Sequence, residues 1–180
     1  MGSQKVYEKT GLLIKNAIKV AKEKGIQDIV VASCSGKTAR YLIGSGLNNI
    51  CITHQIGFKG DNIDEMDIET RKELEGKGIK ILTATHLLGG VGRALRYQFK
   101  GIHPSEIVST TLRMLGQGLK VCVEISVMAA DAGLIKAGKD IMSIGGTGIG
   151  ADTSAIINPQ HSHNFFKTKI KKIVEMPFDW

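Results

Sequence analysis

The chain has 180 residues, 42% of them hydrophobic and 23% charged, with 22 glycines and only 3 prolines, the composition of a globular domain and not of a disordered or collagen-like chain. No run of about 18 apolar residues occurs and the N-terminus lacks the basic, apolar and small-residue order of a signal peptide, so neither a transmembrane helix nor a membrane partner is expected, and the expected location is the cytoplasm. A formal net charge of +7 favours anionic partners, but aromatics are only 5%, no basic run interleaves with them and no zinc-finger spacing exists, so nucleic acid is not the expected partner.

Leu13, Ile14, Ala17, Ile18 and Ala21 recur at helical spacing opposite Lys15, Lys19, Lys22 and Glu23, which predicts an amphipathic first helix stopped by Gly25. Asp28 to Ala32 is a short β-branched run, a predicted strand, and it gives way to Ser33-Cys34-Ser35-Gly36-Lys37-Thr38 and then to a helical stretch through Ala39, Tyr41 and Leu42. Strands are predicted again over Asn49 to Thr53 and Ile79 to Thr83, with a charged surface helix from Asp67 to Glu75 between them, a spacing that suits parallel strands joined by crossovers. Thr85-His86-Leu87-Leu88-Gly89-Gly90-Val91-Gly92-Arg93 follows, first glycine-rich and then helical. His103-Pro104-Ser105-Glu106 opens another helix, with Pro near the first turn, and Gly116 to Gly118 closes it. Leu119 to Ala132 carries two signals: Val121, Val123, Ile125 and Val127 alternate as in a strand, whereas Ala129, Ala130 and Ala132 favour a helix. We read it as a buried helix. Asp140 to Ile144 is the next predicted strand, running into Gly145-Gly146-Thr147-Gly148-Ile149-Gly150, and Ile170 to Met176 is predicted as a last, lysine-bearing edge strand. With no repeat or linker between these elements, residues 1–180 read as one α/β domain whose sheet is covered on both faces.

Two loops stand out chemically. Ser33 to Thr38 leaves a strand and enters a helical stretch, so backbone N–H groups, the hydroxyls of Ser35 and Thr38 and the charge of Lys37 are placed to meet an anion, phosphate above all. It is not a Walker loop, because Val31 stands where that pattern needs glycine. The bland alternative is that Ser33 or Ser35 caps a helix and Gly36 permits a turn. Gly145 to Gly150 has four glycines in six residues. It reads either as a mobile connection or as a second wall of the same site, since loops at strand ends gather at one edge of an open sheet. A Rossmann dehydrogenase is not expected, since too little chain follows for a second nucleotide-binding half.

His86 is the candidate for acid or base chemistry, although orienting a loop or touching a ligand is the commoner use of such a residue. His161 and His163 lack a nearby carboxylate or cysteine, so they read as a surface loop and no metal is assigned. Cys34, Cys51 and Cys122 are odd in number and lack C-x-x-C spacing, which fits reduced and inert thiols. Glu124 and Asp131 share a helix face, where they can pair with a base, satisfy glycine-loop amides, or serve core or capping roles.

The order of these motifs resembles the C-terminal α/β domain of pyruvate kinase. It resembles more closely a group of small, mostly archaeal stand-alone proteins with that domain, marked by Thr85-His86, Gly89-Gly90-Val91-Gly92-Arg93, Met128-Ala129-Ala130-Asp131-Ala132-Gly133 and Gly145 through Thr153. The resemblance implies a three-layer α/β/α fold with a five-stranded, mostly parallel sheet of order 3-2-1-4-5, strand five antiparallel. It does not imply kinase activity, since a catalytic barrel does not fit beside this domain in 180 residues.

By analogy with the regulatory phosphosugar site of pyruvate kinase, Ser33, Ser35, Gly36, Lys37 and Thr38 bind one phosphate, and Gly145, Gly146, Thr147 and Gly148 line the other side. Thr85, His86, Gly89, Gly90 and Gly92 are expected in the same site. The stand-alone group is associated with flavin mononucleotide (FMN), the first choice of ligand; a phosphosugar or metabolite sensor and a flavin-dependent oxidoreductase are the alternatives. Binding is expected over turnover, and a homo-oligomer is a possible assembly.

Overall fold

The computed structural model describes residues 3–179. They form α1 (Ser3–Glu23), β1 (Asp28–Ala32), β2 (Asn48–Thr53), α2 (Ile68–Gly76), β3 (Lys80–Thr83), α3 (Val91–Phe99), α4 (Pro104–Arg113), α5 (Gln117–Asp131), β4 (Ile141–Gly145), β5 (Thr153–Asn158) and β6 (Lys169–Glu175), with single 3-10 segments at Ala39–Leu42 and Ser162–Lys167. No helix among the described residues is long and apolar enough to cross a membrane.

One helix-ending device is used three times. α1, α2 and α5 end at Gly25, Gly78 and Gly133, each with positive φ. In each case the glycine N–H and the next residue's N–H turn back onto the last helical carbonyls: Ile26 N–H to Ala21, Ile79 to Leu74 and Leu134 to Ala129, at 2.9, 3.0 and 3.0 Å. This is the Schellman arrangement, and the apolar residue after the glycine folds the chain back toward the sheet. Gly25 therefore stops the first helix as its place in the sequence predicts.

The sheet has order β3-β2-β1-β4-β5-β6. β1, β2, β3 and β4 are mutually parallel, β5 is antiparallel to β4, and β6 is antiparallel to β5. Two cores cover its faces. Ile29, Val31, Cys51, Met142 and Ile144 join α1 residues Leu13, Ile14, Ala17 and Ala21 and α2 residue Leu74 on one side. Val30, Ile50, Ile52, Ile141, Ala155 and Ile157 join α5 residues Leu119, Val123, Ile125 and Ala129 on the other. Consecutive strand residues thus go to opposite cores, which is why the strands carry continuous apolar runs.

Three expectations change. The sheet has six strands, not five: Thr153–Asn158 pairs between β4 and the lysine-bearing last strand. It is buried on both faces and begins just after the glycine loop, so it shows no polar alternation to announce it. The antiparallel fifth strand is this one, and the predicted Ile170 strand is β6, which runs in the direction of β4. The helical stretch after Thr38 is only the 3-10 turn Ala39–Leu42, because Ile43 takes ψ 128 and Gly44 a positive φ. The ambiguous Leu119 segment is a helix as read; α5 is apolar around most of its circumference because the sheet, the loops and α4 enclose it.

Candidate functional site

A cavity of about 510 Å³ opens beyond the carboxyl ends of β1 to β4. Ser33, Cys34, Ser35 and Thr38 come from the loop after β1, His54, Phe58, Lys59 and Glu65 from the connection after β2, and His86 and Arg93 from the segment after β3. Gly146 through Gly150 follow β4, and α5 adds Gln117, Lys120 and Glu124. Parallel strands end their loops on one side, and that single fact of topology brings residues scattered along the sequence into one concavity.

The loop after β1 is held open by its first residue. Ser33 Oγ accepts the N–H groups of Thr38 and Ala39 at 3.2 and 3.3 Å, so Ser33 fills the capping role weighed for it above. Gly36 has φ +79, and a Cβ there would lie 2.5 Å from Thr70 Cγ2 and 3.0 Å from Leu74 Cδ1, so it lets the loop close down on α2. Among the described residues, the N–H groups of Cys34, Ser35, Gly36 and Lys37 have no backbone acceptor. The Lys37 side chain faces away from the cavity, toward a neighbouring surface recess with Tyr7, Arg40 and Tyr41, its Nζ 6.0 Å from the Tyr7 ring centre.

The late loop is built by contacts at its base. Thr147 donates its N–H and Oγ1–H to Asp152 Oδ2 at 3.0 and 2.7 Å, and Ala151 exchanges both backbone groups with the buried Thr10 hydroxyl of α1. Gly146, Thr147 and Gly148 line the cavity, whereas Gly145 lies under α5. Of the segment after β3, His86 and Arg93 reach the cavity. Gly89 donates its N–H to His86 O at 2.9 Å and Gly90 is the positive-φ residue before α3. Gly92 packs near Ser105 Oγ, and Thr85 is exposed with its methyl against Gly90. These four residues shape the turn that aims His86 and Arg93.

Four cationic side chains and two carboxylates share the cavity wall. Lys120 and Glu124, one turn apart on α5 and only 8% and 4% exposed, form a buried ion pair, and Glu124 Oε1 also accepts the Leu88 N–H at 2.9 Å. Glu124 therefore takes two of the roles weighed for it, pairing with a base and accepting a loop amide, while Asp131 sits away from the site, bonded to Ser162 N–H and His161. Lys59 pairs with Glu65 at 2.7 Å. Arg93, lying over the Phe58 ring at 5.5 Å, and Arg113, bonded to Gln117, have no carboxylate partner among the described residues.

His54, Phe58 and Glu65 are site residues that the sequence reading missed. The His54 ring lies 3.9 Å from Phe58 and 4.7 Å from His86, centre to centre, and its Nδ1 is 2.5 Å from Glu65 Oε1. The available signal was position: His54 directly follows β2, as Ser33 follows β1. Burial raises the Glu65 carboxyl, but hydrogen bonds from Lys59 and His54 outweigh it and hold it below the ordinary value. Burial, with Glu65 adding to it, raises the Cys34 thiol against the opposing His54 N–H, so it is protonated at neutral pH. Burial also pushes His86 down to about 4 despite the pull of Glu124, which leaves a neutral imidazole facing the cavity.

The fold defines an α/β domain with an open cavity at the carboxyl edge of its parallel strands. The model of the family "Pyruvate kinase, alpha/beta domain" matches residues 12–157, and the chain belongs to that family. Among solved structures it is similar to a pyruvate kinase from Cryptosporidium parvum, at 15% identity over 82% of this chain and 22% of that one, TM-score 0.42. A structure of Cryptosporidium parvum pyruvate kinase in complex with ADP aligns at 15% identity over 93% of this chain and 24% of that one, TM-score 0.40. The chain thus spans less than a quarter of the length of those enzymes.

Proposed function

We propose that the cavity binds a phosphorylated small molecule, with FMN the first candidate. The observation that carries this reading is the surplus of positive charge on the wall: Glu65 and Glu124 are matched by Lys59 and Lys120, which leaves the guanidiniums of Arg93 and Arg113 for an anion. Ser35 and Thr38 lie on the same wall, and the N–H groups of the Cys34–Lys37 loop have no backbone acceptor among the described residues. The volume falls in the range of small-molecule sites. His54, Phe58 and His86 supply flat rings for a heteroaromatic ligand in a chain with few aromatics.

FMN and riboflavin differ only in the phosphate, so their comparison isolates it. Flavin fluorescence titrations are expected to show FMN binding more tightly, and Ser35→Ala with Thr38→Ala and Arg113→Ala is expected to weaken FMN at least about tenfold more than riboflavin, since charge-assisted contacts are worth about 1.5–3 kcal/mol each. Equal losses for the two flavins would remove the phosphate assignment. Failure of both to bind, with a sugar phosphate binding instead, would remove the flavin and keep the anion site.

A further inference from the structure

We infer that Cys34, His54 and Glu65 form a divalent metal site, best suited to zinc, on the wall of the cavity. One ligand atom from each lies within 4.8 Å of the others. The three residues come from two different loops, after β1 and after β2, and all are partly buried and line the cavity. They combine thiolate, imidazole and carboxylate, a donor set that selects zinc over magnesium or calcium. Three protein ligands with the fourth side toward open space is the arrangement of a zinc that keeps an exchangeable position, and here that position is on the cavity side.

The geometry needs little adjustment. Zinc bonds of about 2.0–2.3 Å in a tetrahedron separate neighbouring ligand atoms by roughly 3.3–3.8 Å, so the His54–Glu65 pair, now at 2.5 Å, must open by about 1 Å, while the Cys34 sulfur, within 4.8 Å of both partners, needs a shift of about 1 Å at most. Charge balances as well, because a thiolate and a carboxylate neutralise the dication once the thiol has given its proton to solvent. A supporting shell is already present: Lys59 holds the other Glu65 oxygen at 2.7 Å, and the His86 ring packs edge-on against His54. In contrast His161 and His163, although their rings stack at 5.9 Å, belong to no such group among the described residues.

The site does not depend on the flavin reading, and its test uses metal alone. Stripped full-length protein is titrated with cobalt(II) and then zinc. One equivalent of cobalt is expected to produce tetrahedral d–d bands and a thiolate-to-cobalt charge-transfer band, both removed by zinc. Cys34→Ser is expected to abolish the charge-transfer band, and His54→Gln and Glu65→Gln to weaken cobalt at least about tenfold. His161→Gln with His163→Gln should leave the titration unchanged. X-ray absorption of the zinc-loaded wild-type protein needs no variant to fold, and it is expected to show one sulfur with nitrogen and oxygen ligands. A zinc shell without sulfur, or a charge-transfer band that survives Cys34→Ser, would overturn the assignment.

Discussion

Gly145→Val is expected to unfold the protein or to lower its stability by about 3 kcal/mol or more, whereas Gly148→Val, three residues along the same loop, is expected to lower the melting temperature much less, through backbone strain alone. At Gly145 a Cβ would lie 2.5 Å from Gly118 O and 3.2 Å from Cys122 N, backbone atoms of α5 that have nowhere to go. Gly118 of α5 makes a second close approach, to the start of β5, since its own Cβ would meet Thr153 Oγ1 at 2.2 Å. Two glycines let helix and sheet approach at this crossing, and overpacking against main chain lies at the upper end of the roughly 1–3 kcal/mol such changes cost. At Gly148 a Cβ meets nothing within 4 Å among the described residues, so the strain of its φ of +159 is the one cost to the fold, but it stands on the cavity wall. Gly148→Val should therefore weaken FMN selectively. Gly146→Val lies between the two, because its Cβ would meet Gly150 O at 2.7 Å, and it should lower both stability and binding. Thermal denaturation beside flavin titration checks the series; a stable Gly145→Val would show that α5 does not rest on the sheet as described.

The second large effect is expected at the buried pair on α5. Lys120→Met leaves the Glu124 carboxylate without its cation in a place where both side chains are almost fully enclosed, and breaking such a pair from one side costs about 3–5 kcal/mol. Glu124→Gln should cost a similar amount, because it strands the Lys120 ammonium, although its amide oxygen still accepts the Leu88 N–H. The double variant Lys120→Met, Glu124→Gln removes both charges and keeps an amide oxygen for Leu88. It is expected to recover to within about 1.5 kcal/mol of wild type, since a buried ion pair is itself close to neutral against an uncharged replacement. Urea denaturation of the four proteins measures the coupling. Additive losses in the double variant would mean that the two residues act separately.

How far sequence reaches into this molecule is visible at particular residues. Gly25 was legible as a helix end because positive φ is a local property of one residue. The strands were legible where a β-branched run stood alone, and β5 was missed because a strand buried on both faces carries no alternation. The 3-10 turn after Thr38 was read as longer helix because apolar spacing over four residues fits both.

For the site, the loops leaving β1 and β4 were legible from their glycines and hydroxyls, and the placement of His86 at the end of β3 followed from the order of elements. Only the tertiary structure decided which side chains those loops turn inward. Lys37 sits in the expected loop and points out, while His54, Phe58, Glu65 and Arg113, unremarkable in sequence, point in. Local patterns determine where the chain is strand, turn or helix, since those depend on neighbours a few residues away. Which residues meet across the strand ends depends on register, strand order and helix placement, quantities summed over the whole fold, and the contact of Glu124 with the Leu88 N–H, or the burial that encloses the local Lys120–Glu124 pair, exists only once that sum is complete.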